Sequence, residues 1–171
     1  MTTAVYWGRF NPPHTGHLAV IRHILGECDE LIVAIGSSLQ SHTERNPFSG
    51  GERTLMLKEM LKEAGLLGKC LIVQVPDADS YKGTAANLRM ACPAFDTVYT
   101  NRSVIADIFS SWNVPVKSFP DFEREKYSST AVRNALSNGE NPDGLVPKSV
   151  ITVLERIDGA HRMDIVAEDK Y

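Results

Sequence analysis

The sequence of 171 residues predicts an α/β protein with a doubly wound parallel sheet of about five strands, followed by C-terminal helices. Two observations predict this fold class. Five short, almost continuously apolar segments are rich in β-branched residues, which is typical of strands buried on both faces. Segments with helical periodicity separate them, and parallel strands require such crossovers. Strand and helix are therefore expected to alternate along most of the chain.

The expected elements follow in chain order. Strands are predicted at residues 4–8, 30–36, 70–76, 96–100 and 114–119. Helices between them are predicted at residues 17–27, 51–65, 84–91 and 104–112. After the fifth strand the pattern changes to two helices, at residues 128–139 and 146–159. No repeat or low-complexity linker interrupts the sequence, so one domain is expected over residues 1–171, with a core at 4–138 and a helical part at 139–171.

Composition and charge exclude several classes of protein. With 43% hydrophobic and 23% charged residues, the chain has the composition of a globular domain. A net charge of -3 argues against a surface built for nucleic acid. The three cysteines form no CxxC pair, which favours thiols in a reducing compartment. Because the sequence shows neither a signal peptide nor a membrane-length apolar run, we expect a cytoplasmic protein without nucleic-acid or membrane partners.

The segment GRFNPPHTGHL, residues 8–18, follows the first predicted strand. In doubly wound sheets, ligands bind beyond the carboxyl ends of the strands. We expect Gly8 to let the chain turn, and the two prolines to stiffen the elbow by fixing φ. His14 and His17 then lie one turn apart at a helix N-terminus, where free N–H groups and the helix dipole attract phosphate. The segment therefore predicts a phosphate clamp.

The two histidines also have less specific interpretations. An arbitrary HxxH pair is more often a surface pair, and it can form half of a zinc site. A zinc site needs further ligands, and neither His42 nor the cysteines supply a recognisable set. The glycines form no GxGxxG sequence, so the dinucleotide fingerprint of dehydrogenases is absent. The position directly after a buried strand favours the phosphate site.

A second candidate anion site is YSSTAVRNAL, residues 127–136. Ser128 or Ser129 can cap the helix, and Arg133 lies about one turn further along the same face. A guanidinium beside a helix N-terminus can bind phosphate through two hydrogen bonds. The alternative is a simple helix cap followed by a solvated arginine.

These two segments resemble the HxGH and SSTxxR motifs of the nucleotidylyltransferase superfamily. Within it, IGSSLQSHTERNPFSGGER at residues 35–53 and LVPKSVITVLERIDGAHRM at residues 145–163 are similar to archaeal-type nicotinamide-nucleotide adenylyltransferases. The resemblance extends from about residue 5 to residue 163. It implies a Rossmann-like fold and a direct in-line attack of a mononucleotide phosphate on the α-phosphorus of ATP, with release of pyrophosphate.

The resemblance also implies a role for each matching residue. Catalytic contacts are implied for His14, His17, Arg45 and Arg133. Further nucleotide contacts are implied for Gly8, Arg9, Phe10, Ser128, Ser129 and Thr130. Contacts to the acceptor are implied for Gly36, Ser37, Tyr81 and Thr84. Mg²⁺ is expected on the ATP phosphates without a protein ligand, and members of the family commonly form homo-oligomers, often hexamers. Arg53, in GGER, is interpreted instead as a helix-terminal charge that pairs locally.

The acceptor side departs from the family pattern at two places. Thr84 aligns with a family tryptophan that stacks on the nicotinamide ring, so Thr84→Trp is expected to tighten binding of nicotinamide mononucleotide. Tyr81 and Trp7 are the aromatic residues that can replace that platform. At residues 100–102 the chain has Thr-Asn-Arg where the family has Thr-Gly-Asn. Arg102 is interpreted as a solvated charge or a phosphate contact.

These departures leave alternatives to nicotinamide mononucleotide as the acceptor. The same chemistry can use flavin mononucleotide or phosphopantetheine, or it can transfer a cytidylyl group to a small phosphorylated alcohol. A further alternative is a nucleotide-binding sensor without turnover. Adenylyl transfer to nicotinamide mononucleotide, giving NAD, is the leading hypothesis.

Overall fold

A computed structural model describes residues 1–168 of the chain. Its sheet has five strands: β1 (Thr3–Gly8), β2 (Glu30–Ile35), β3 (Cys70–Gln74), β4 (Thr97–Tyr99) and β5 (Val116–Lys117). All neighbouring strands are parallel, in the order β3-β2-β1-β4-β5. The predicted doubly wound, Rossmann-like class is confirmed. Because the strand order reverses between β1 and β4, the expected ligand crevice lies at their carboxyl ends.

The helices are α1 (Thr15–Leu25), α2 (Gly50–Glu63), α3 (Tyr81–Ala91), α4 (Ser103–Ser111), α5 (Ser129–Ser137), α6 (Lys148–Arg156) and α7 (Gly159–Glu168), with a short 3₁₀ turn at Leu67–Lys69. Helix α3 begins three residues before its predicted start because the Ser80 hydroxyl caps it, accepting a hydrogen bond from the Gly83 N–H. Within residues 1–168, no helix is long and apolar enough to cross a membrane.

The prediction of two C-terminal helices was wrong, since three follow β5 within residues 1–168. The helix predicted to reach residue 159 ends at Arg156. Asp158 then adopts a left-handed conformation with φ of 53°, which an α-helix cannot continue through, and α7 begins at Gly159. Residues 169–171, included in the expected domain, lie outside the described part of the chain.

The sheet is covered on both faces, which explains its continuously apolar strands. In β1, Ala4 and Tyr6 belong to one buried cluster and Val5 to another, as the alternation of side chains along a strand requires. The first cluster contains residues of α1, α2, α5, α6 and α7, and the second contains residues of α3 and α4. The N-termini of α1 and α5 thus approach the carboxyl edge of the sheet from one face, and those of α3 and α4 from the other.

Candidate active site

The turn after β1 is made by Phe10, whose φ is 50°. The prediction that Gly8 provides this turn was wrong, because Gly8 ends β1 and has no positive φ. Its missing side chain instead makes room, since a Cβ on Gly8 would lie 3.1 Å from the Phe10 ring. That ring is 1% exposed and packs against His17, with ring centroids 4.7 Å apart. Burial of the phenyl group holds Phe10 in a conformation that side chains rarely adopt.

His14 and His17 form a reciprocal cap at the start of α1. The Nδ1 atom of His14 accepts a hydrogen bond from the His17 N–H at 3.3 Å, and Nδ1 of His17 accepts one from the His14 N–H at 3.2 Å. An imidazole that accepts through Nδ1 carries its proton on Nε2 when neutral. The two rings stack with centroids 3.6 Å apart. The pair therefore offers two Nε2–H donors beside a helix N-terminus.

Burial keeps both rings neutral in the absence of a bound anion. It lowers the pKa of His14 from 6.5 to about 4. Burial, with the adjacent His14 as a smaller cause, lowers the pKa of His17 well below its ordinary value. A phosphate bound between them would reverse part of this effect, because a nearby negative charge favours the imidazolium.

The two sequence motifs meet at this point. Ser128 is the N-cap of α5 and accepts a hydrogen bond from the Ala131 N–H at 3.1 Å. The Ser129 hydroxyl donates to the Pro12 carbonyl at 2.8 Å, and Nη1 of Arg133 donates to the Asn11 carbonyl at 2.9 Å. Helix α5 is thus fastened directly to the elbow, and the two segments predicted to bind phosphate lie side by side.

The polar side chains at the start of α5 differ in which hydrogen-bonding groups remain available to a ligand. Arg133 donates through Nη2 to the Thr130 hydroxyl at 3.2 Å, and Thr130 itself is exposed. The Ser129 hydroxyl donates its proton to the Pro12 carbonyl, whereas the Ser128 hydroxyl accepts from the Ala131 N–H and can still donate its own proton. The predicted contacts to a nucleotide would therefore use the Ser128 O–H together with N–H groups at the start of α5.

Arg53 lies beneath the candidate site. The expectation that it pairs with a nearby charge at the start of α2 was wrong. Arg53 is 0% exposed, and its guanidinium donates to the carbonyls of Arg9 and Gly36, each at 2.8 Å. It also donates to the carbonyls of Ser37 at 2.8 Å and Ser49 at 3.2 Å. The loops after β1 and β2 are therefore held together by one buried cation. No carboxylate in the described part of the chain forms an ion pair with it.

The pKa of Arg53 falls to about 10, mainly through burial and secondarily through the like charge of Arg9. The side chain therefore remains protonated at neutral pH. Sequence reasoning missed this role because GGER reads equally well as an ordinary first helical turn. Carbonyl oxygens from distant loops, rather than residues near it in sequence, satisfy its donors.

The loop after β2 is shaped by two close contacts. A Cβ on Gly36 would lie 2.6 Å from Nε1 of Trp7, so the indole occupies the space of a side chain there. Ser37 has a φ of 49°, and its N–H donates to Asp77 at 3.2 Å. The indole of Trp7 is thus set against the glycine and the sheet rather than presented freely to the crevice. The two predicted acceptor residues Gly36 and Ser37 lie together at the carboxyl end of β2.

Asn11 is a further residue that the sequence alone did not indicate. It is 1% exposed; its side-chain N–H₂ donates to the Phe48 carbonyl and its Oδ1 accepts from the Phe48 N–H, both at 3.1 Å. Arg162 of α7 supports the same segment by donating to the Pro47 carbonyl at 3.1 Å and to Glu52. The C-terminal tail thus stabilises the loop that carries Arg45.

Four arginines bring positive charge to the crevice: Arg9, Arg45, Arg102 and Arg133. Partial desolvation, followed by the charges of the other three, lowers the pKa of Arg9. Within residues 1–168 the ion pairs are His23–Glu27, Lys117–Glu27 and Arg162–Glu52, so none of the four arginines has a paired carboxylate. Although the carboxylates of Asp77 and Glu44 act on Arg9 and Arg133 from beyond ion-pair distance, four arginines without an ion pair attract a polyanion.

The acceptor side contains one exposed and one buried predicted residue. Thr84 is 5% exposed; its hydroxyl accepts from the Ala78 N–H at 2.9 Å and donates to the Ser80 carbonyl at 3.1 Å. Tyr81 is 53% exposed, and the guanidinium of Arg102 lies 5.0 Å from its ring centroid. Tyr81 is therefore an exposed aromatic ring at the start of α3, and Thr84 stabilises the turn that precedes it.

Residues 5–135 match the family model described as cytidylyltransferase-like. The chain belongs to the cytidylyltransferase-like family. Archaeal relatives extend the match over nearly the whole chain: the nicotinamide-nucleotide adenylyltransferase of Pyrobaculum neutrophilum is 38% identical over 98% of this chain and 95% of its own length. That of Methanocorpusculum labreanum is 39% identical over 98% of this chain and 99% of its own length. The resemblance to archaeal-type nicotinamide-nucleotide adenylyltransferases, expected from residues 35–53 and 145–163, is confirmed.

A solved structure supports the fold independently. A bifunctional NMN adenylyltransferase/ADP ribose pyrophosphatase from Francisella tularensis superimposes with a TM-score of 0.78 at 22% identity. The match covers 98% of this chain and 53% of that bifunctional protein. Another structure of the same Francisella protein holds AMP and a manganese ion. In this chain, residues 1–168 contain no group of three or more His, Cys, Asp or Glu side chains that could hold a metal.

Proposed function

We propose that this protein is an enzyme that transfers AMP from ATP to nicotinamide mononucleotide, producing NAD and pyrophosphate. One observation carries the proposal: the His14–His17 pair at the start of α1 is fastened to the SSTAVR helix through Ser129 and Arg133. We interpret these as two phosphate-binding elements on one face of the crevice. Membership of the family, and the near full-length similarity to archaeal enzymes of this activity, support the same reaction.

The geometry suits a reaction without a covalent enzyme intermediate. The acceptor phosphate is already an anion, so its oxygen attacks the α-phosphorus directly while the bond to the β-phosphate oxygen breaks. Pyrophosphate leaves with the electron pair of that bond. Catalysis then depends on orientation and on stabilising charge that develops in the transition state. Mg²⁺ would be held by the ATP phosphates as part of the substrate and would offset part of their charge.

Side chains at different places in the crevice would make different contributions to the reaction. The Nε2–H groups of His14 and His17 would donate to oxygens of the reacting phosphates, beside the N-terminus of α1. Arg133 and Arg45 would neutralise the triphosphate, aided by Arg9. The backbone at Gly8 and Phe10, and the start of α5 at Ser128, Ser129 and Thr130, would complete the nucleotide contacts.

The acceptor would occupy the other side of the crevice, where β2, α3 and α4 meet. The backbone at Gly36 and Ser37 would contact the mononucleotide. Tyr81 would provide an aromatic surface for its base, supported by the buried turn around Thr84. Cytoplasmic location and homo-oligomeric assembly remain part of the proposal, and light scattering of the purified protein tests the assembly.

Pyrophosphate release tests the reaction and the acceptor together. Purified protein is mixed with Mg–ATP and, in turn, nicotinamide mononucleotide, flavin mononucleotide and phosphopantetheine, with CTP and a small phosphorylated alcohol as a further pair. Release that depends on nicotinamide mononucleotide, with NAD identified as the product, is expected. Release only with another acceptor would contradict the proposed acceptor. Nucleotide binding without release under every condition would contradict the enzyme assignment.

A further inference from the structure

Arg45 lies on a short exposed turn between β2 and α2. Residues 42–45 are exposed, whereas Asn46 is 2% exposed and the two residues after it are also buried. Two backbone hydrogen bonds between Thr43 and Asn46, at 3.3 and 3.0 Å, close the turn. The Asn46 N–H also donates to the Thr43 hydroxyl at 3.0 Å. The position of Arg45 therefore depends on how Asn46 is held.

The charges around Arg45 oppose this position in the absence of a ligand. Burial is the main cause of the lowered pKa of Arg9, and the positive charge of Arg45 is the next. Burial, opposed by Glu44, also lowers the pKa of Arg133, and Arg45 adds to that lowering. Cations that share one crevice repel one another until a polyanion binds. An unsupported turn would swing outward, and ATP would then bind more weakly by the cost of ordering it.

The side chain of Asn46 ties the turn to two other segments. Its Nδ2 atom donates to Oε1 of Gln40 at 2.8 Å. Its Oδ1 atom accepts from Nδ2 of Asn11, in the elbow after β1, at 3.5 Å. The second distance is at the long end for a hydrogen bond, so the first bond is the stronger one. The main side-chain support of the turn therefore comes from Gln40.

Gln40 is fixed at its other end by a carboxylate. Its Nε2 atom donates to Oδ2 of Asp77 at 3.0 Å, and Oδ1 of the same carboxylate accepts from the Ser37 N–H at 3.2 Å. Hydrogen bonds to an ionised acceptor are stronger than those between neutral groups. Asp77 follows β3, so the amide of Gln40 spans the distance from the end of β3 to the turn. Because Gln40 is exposed, its amide contributes to this bridge and not to the core.

We propose that Gln40 is a positioning residue that holds Arg45 within reach of the ATP phosphates. Its amide accepts from Asn46 and donates to Asp77, and so resists the repulsion that would move the turn outward. Gln40 itself does not touch the substrate. This inference rests on the proposed function, in which Arg45 binds the triphosphate. It concerns nucleotide binding, which can be measured without turnover.

Calorimetric titration of the full chain with Mg–ATP tests the bridge. Gln40→Met keeps a side chain of similar length and removes both hydrogen bonds, so it is expected to weaken Mg–ATP binding about fivefold or more. In an Arg45→Met background the same substitution is expected to have no further effect, because the residue that it positions is gone. Gln74→Met is the matched control, since Gln74 is exposed at the end of β3 and donates to the Thr54 hydroxyl instead.

Exchange of donor and acceptor provides a second test. Gln40→Glu is expected to weaken Mg–ATP binding more than Gln40→Met, because the new carboxylate cannot donate to Asp77 and repels it. Addition of Asp77→Asn returns the net charge to that of the wild type and supplies an N–H donor for the new carboxylate. The oxygen of the new amide can still accept from the Ser37 N–H. The double variant should therefore recover most of the lost affinity.

Each outcome has a defined meaning. A loss of affinity that depends on Arg45 and is recovered in the double variant supports the proposal. An equal loss from Gln40→Met in both backgrounds, or affinity equal to that of the wild type, overturns it. A loss of the same size in Gln74→Met, or no recovery in the double variant, also overturns it. Mg–ATP binding as expected, without pyrophosphate release when nicotinamide mononucleotide is added, would instead reject the adenylyl transfer and leave the role of Gln40 intact.

Discussion

His14 and His17 cap one another: each Nδ1 accepts a hydrogen bond from the other residue's backbone N–H, at 3.3 and 3.2 Å. This arrangement satisfies two of the donors at the start of α1 with the same side chains that face the proposed triphosphate. It also ties the protonation of the pair to the stability of the fold, because a protonated Nδ1 cannot accept either bond.

Stability is expected to fall in mild acid because His14 is buried. Its pKa drops from 6.5 to about 4 on folding, so the unfolded chain binds more protons between these values. The stabilising contribution of the neutral, buried His14 is fully present above pH 6.5 and is lost progressively as the pH falls toward 4. By about pH 5 the free energy of unfolding has fallen by about 2 kcal/mol. Urea unfolding at about pH 7 and pH 5 measures the loss.

His14→Asn keeps a residue that caps helices well but does not titrate. This variant is expected to lose less stability than the wild type between the two pH values. His161→Asn, at an exposed position of α7, is the control and should follow the wild type. Parallel pH dependence of His14→Asn and the wild type would contradict the role of the buried imidazole.

His17→Ala is expected to lower kcat far more than it weakens ATP binding. An imidazole that stabilises developing charge acts mainly in the transition state, and removal of one such donor commonly costs about 10²-fold in kcat. Single-turnover kinetics and calorimetry with ATP separate the two effects. His23→Ala on the same helix is the control. Comparable losses in turnover and in ATP affinity for His17→Ala would argue against the transition-state role.

Arg53→Met is expected to destabilise the protein by about 3 kcal/mol or more, because several buried carbonyls would lose their donor. The carbonyls affected belong to Arg9, Gly36 and Ser37, so catalytic efficiency should fall as well. Urea unfolding measures the first effect and pyrophosphate release the second. Arg156→Met, at an exposed position in α6, should change stability by less than about 0.5 kcal/mol. A loss of similar size in both variants would rule out the buried bridge.

Thr84→Trp is expected to destabilise the protein, in contrast to the gain in acceptor binding that the sequence suggested. Thr84 is 5% exposed and its hydroxyl joins Ala78 to Ser80, so an indole would overpack the turn at a cost of about 1–3 kcal/mol. Thr84→Ser keeps the hydroxyl and is the control. Thermal unfolding and calorimetry with nicotinamide mononucleotide test both statements. Tighter binding without destabilisation would restore the stacking interpretation.

Several features could be predicted from the sequence because they depend on neighbours along the chain. Apolar β-branched runs and helical periodicity indicated the five strands and their crossovers. The proposed phosphate site could be predicted from HTGH placed directly after a strand, since a helix N-terminus has the same donors wherever it occurs. Glycine was a weaker guide: Gly8 gives space to Phe10, and Phe10 makes the turn.

The tertiary structure alone decided which distant segments share a contact. Arg53 reaches a carbonyl 44 residues away, and Tyr81 meets Arg102 only because α3 and α4 cover the same face of the sheet. Burial also depends on the tertiary structure. Thr84 and Tyr81 lie within one helical turn, yet Thr84 is 5% exposed and Tyr81 is 53% exposed. Local sequence sets what a residue can donate, accept or shield, whereas the strand order sets which groups lie within bonding distance. The reaction type could therefore be inferred from two short motifs, whereas the surroundings of the predicted acceptor residues depend on which distant segments the folded sheet brings together.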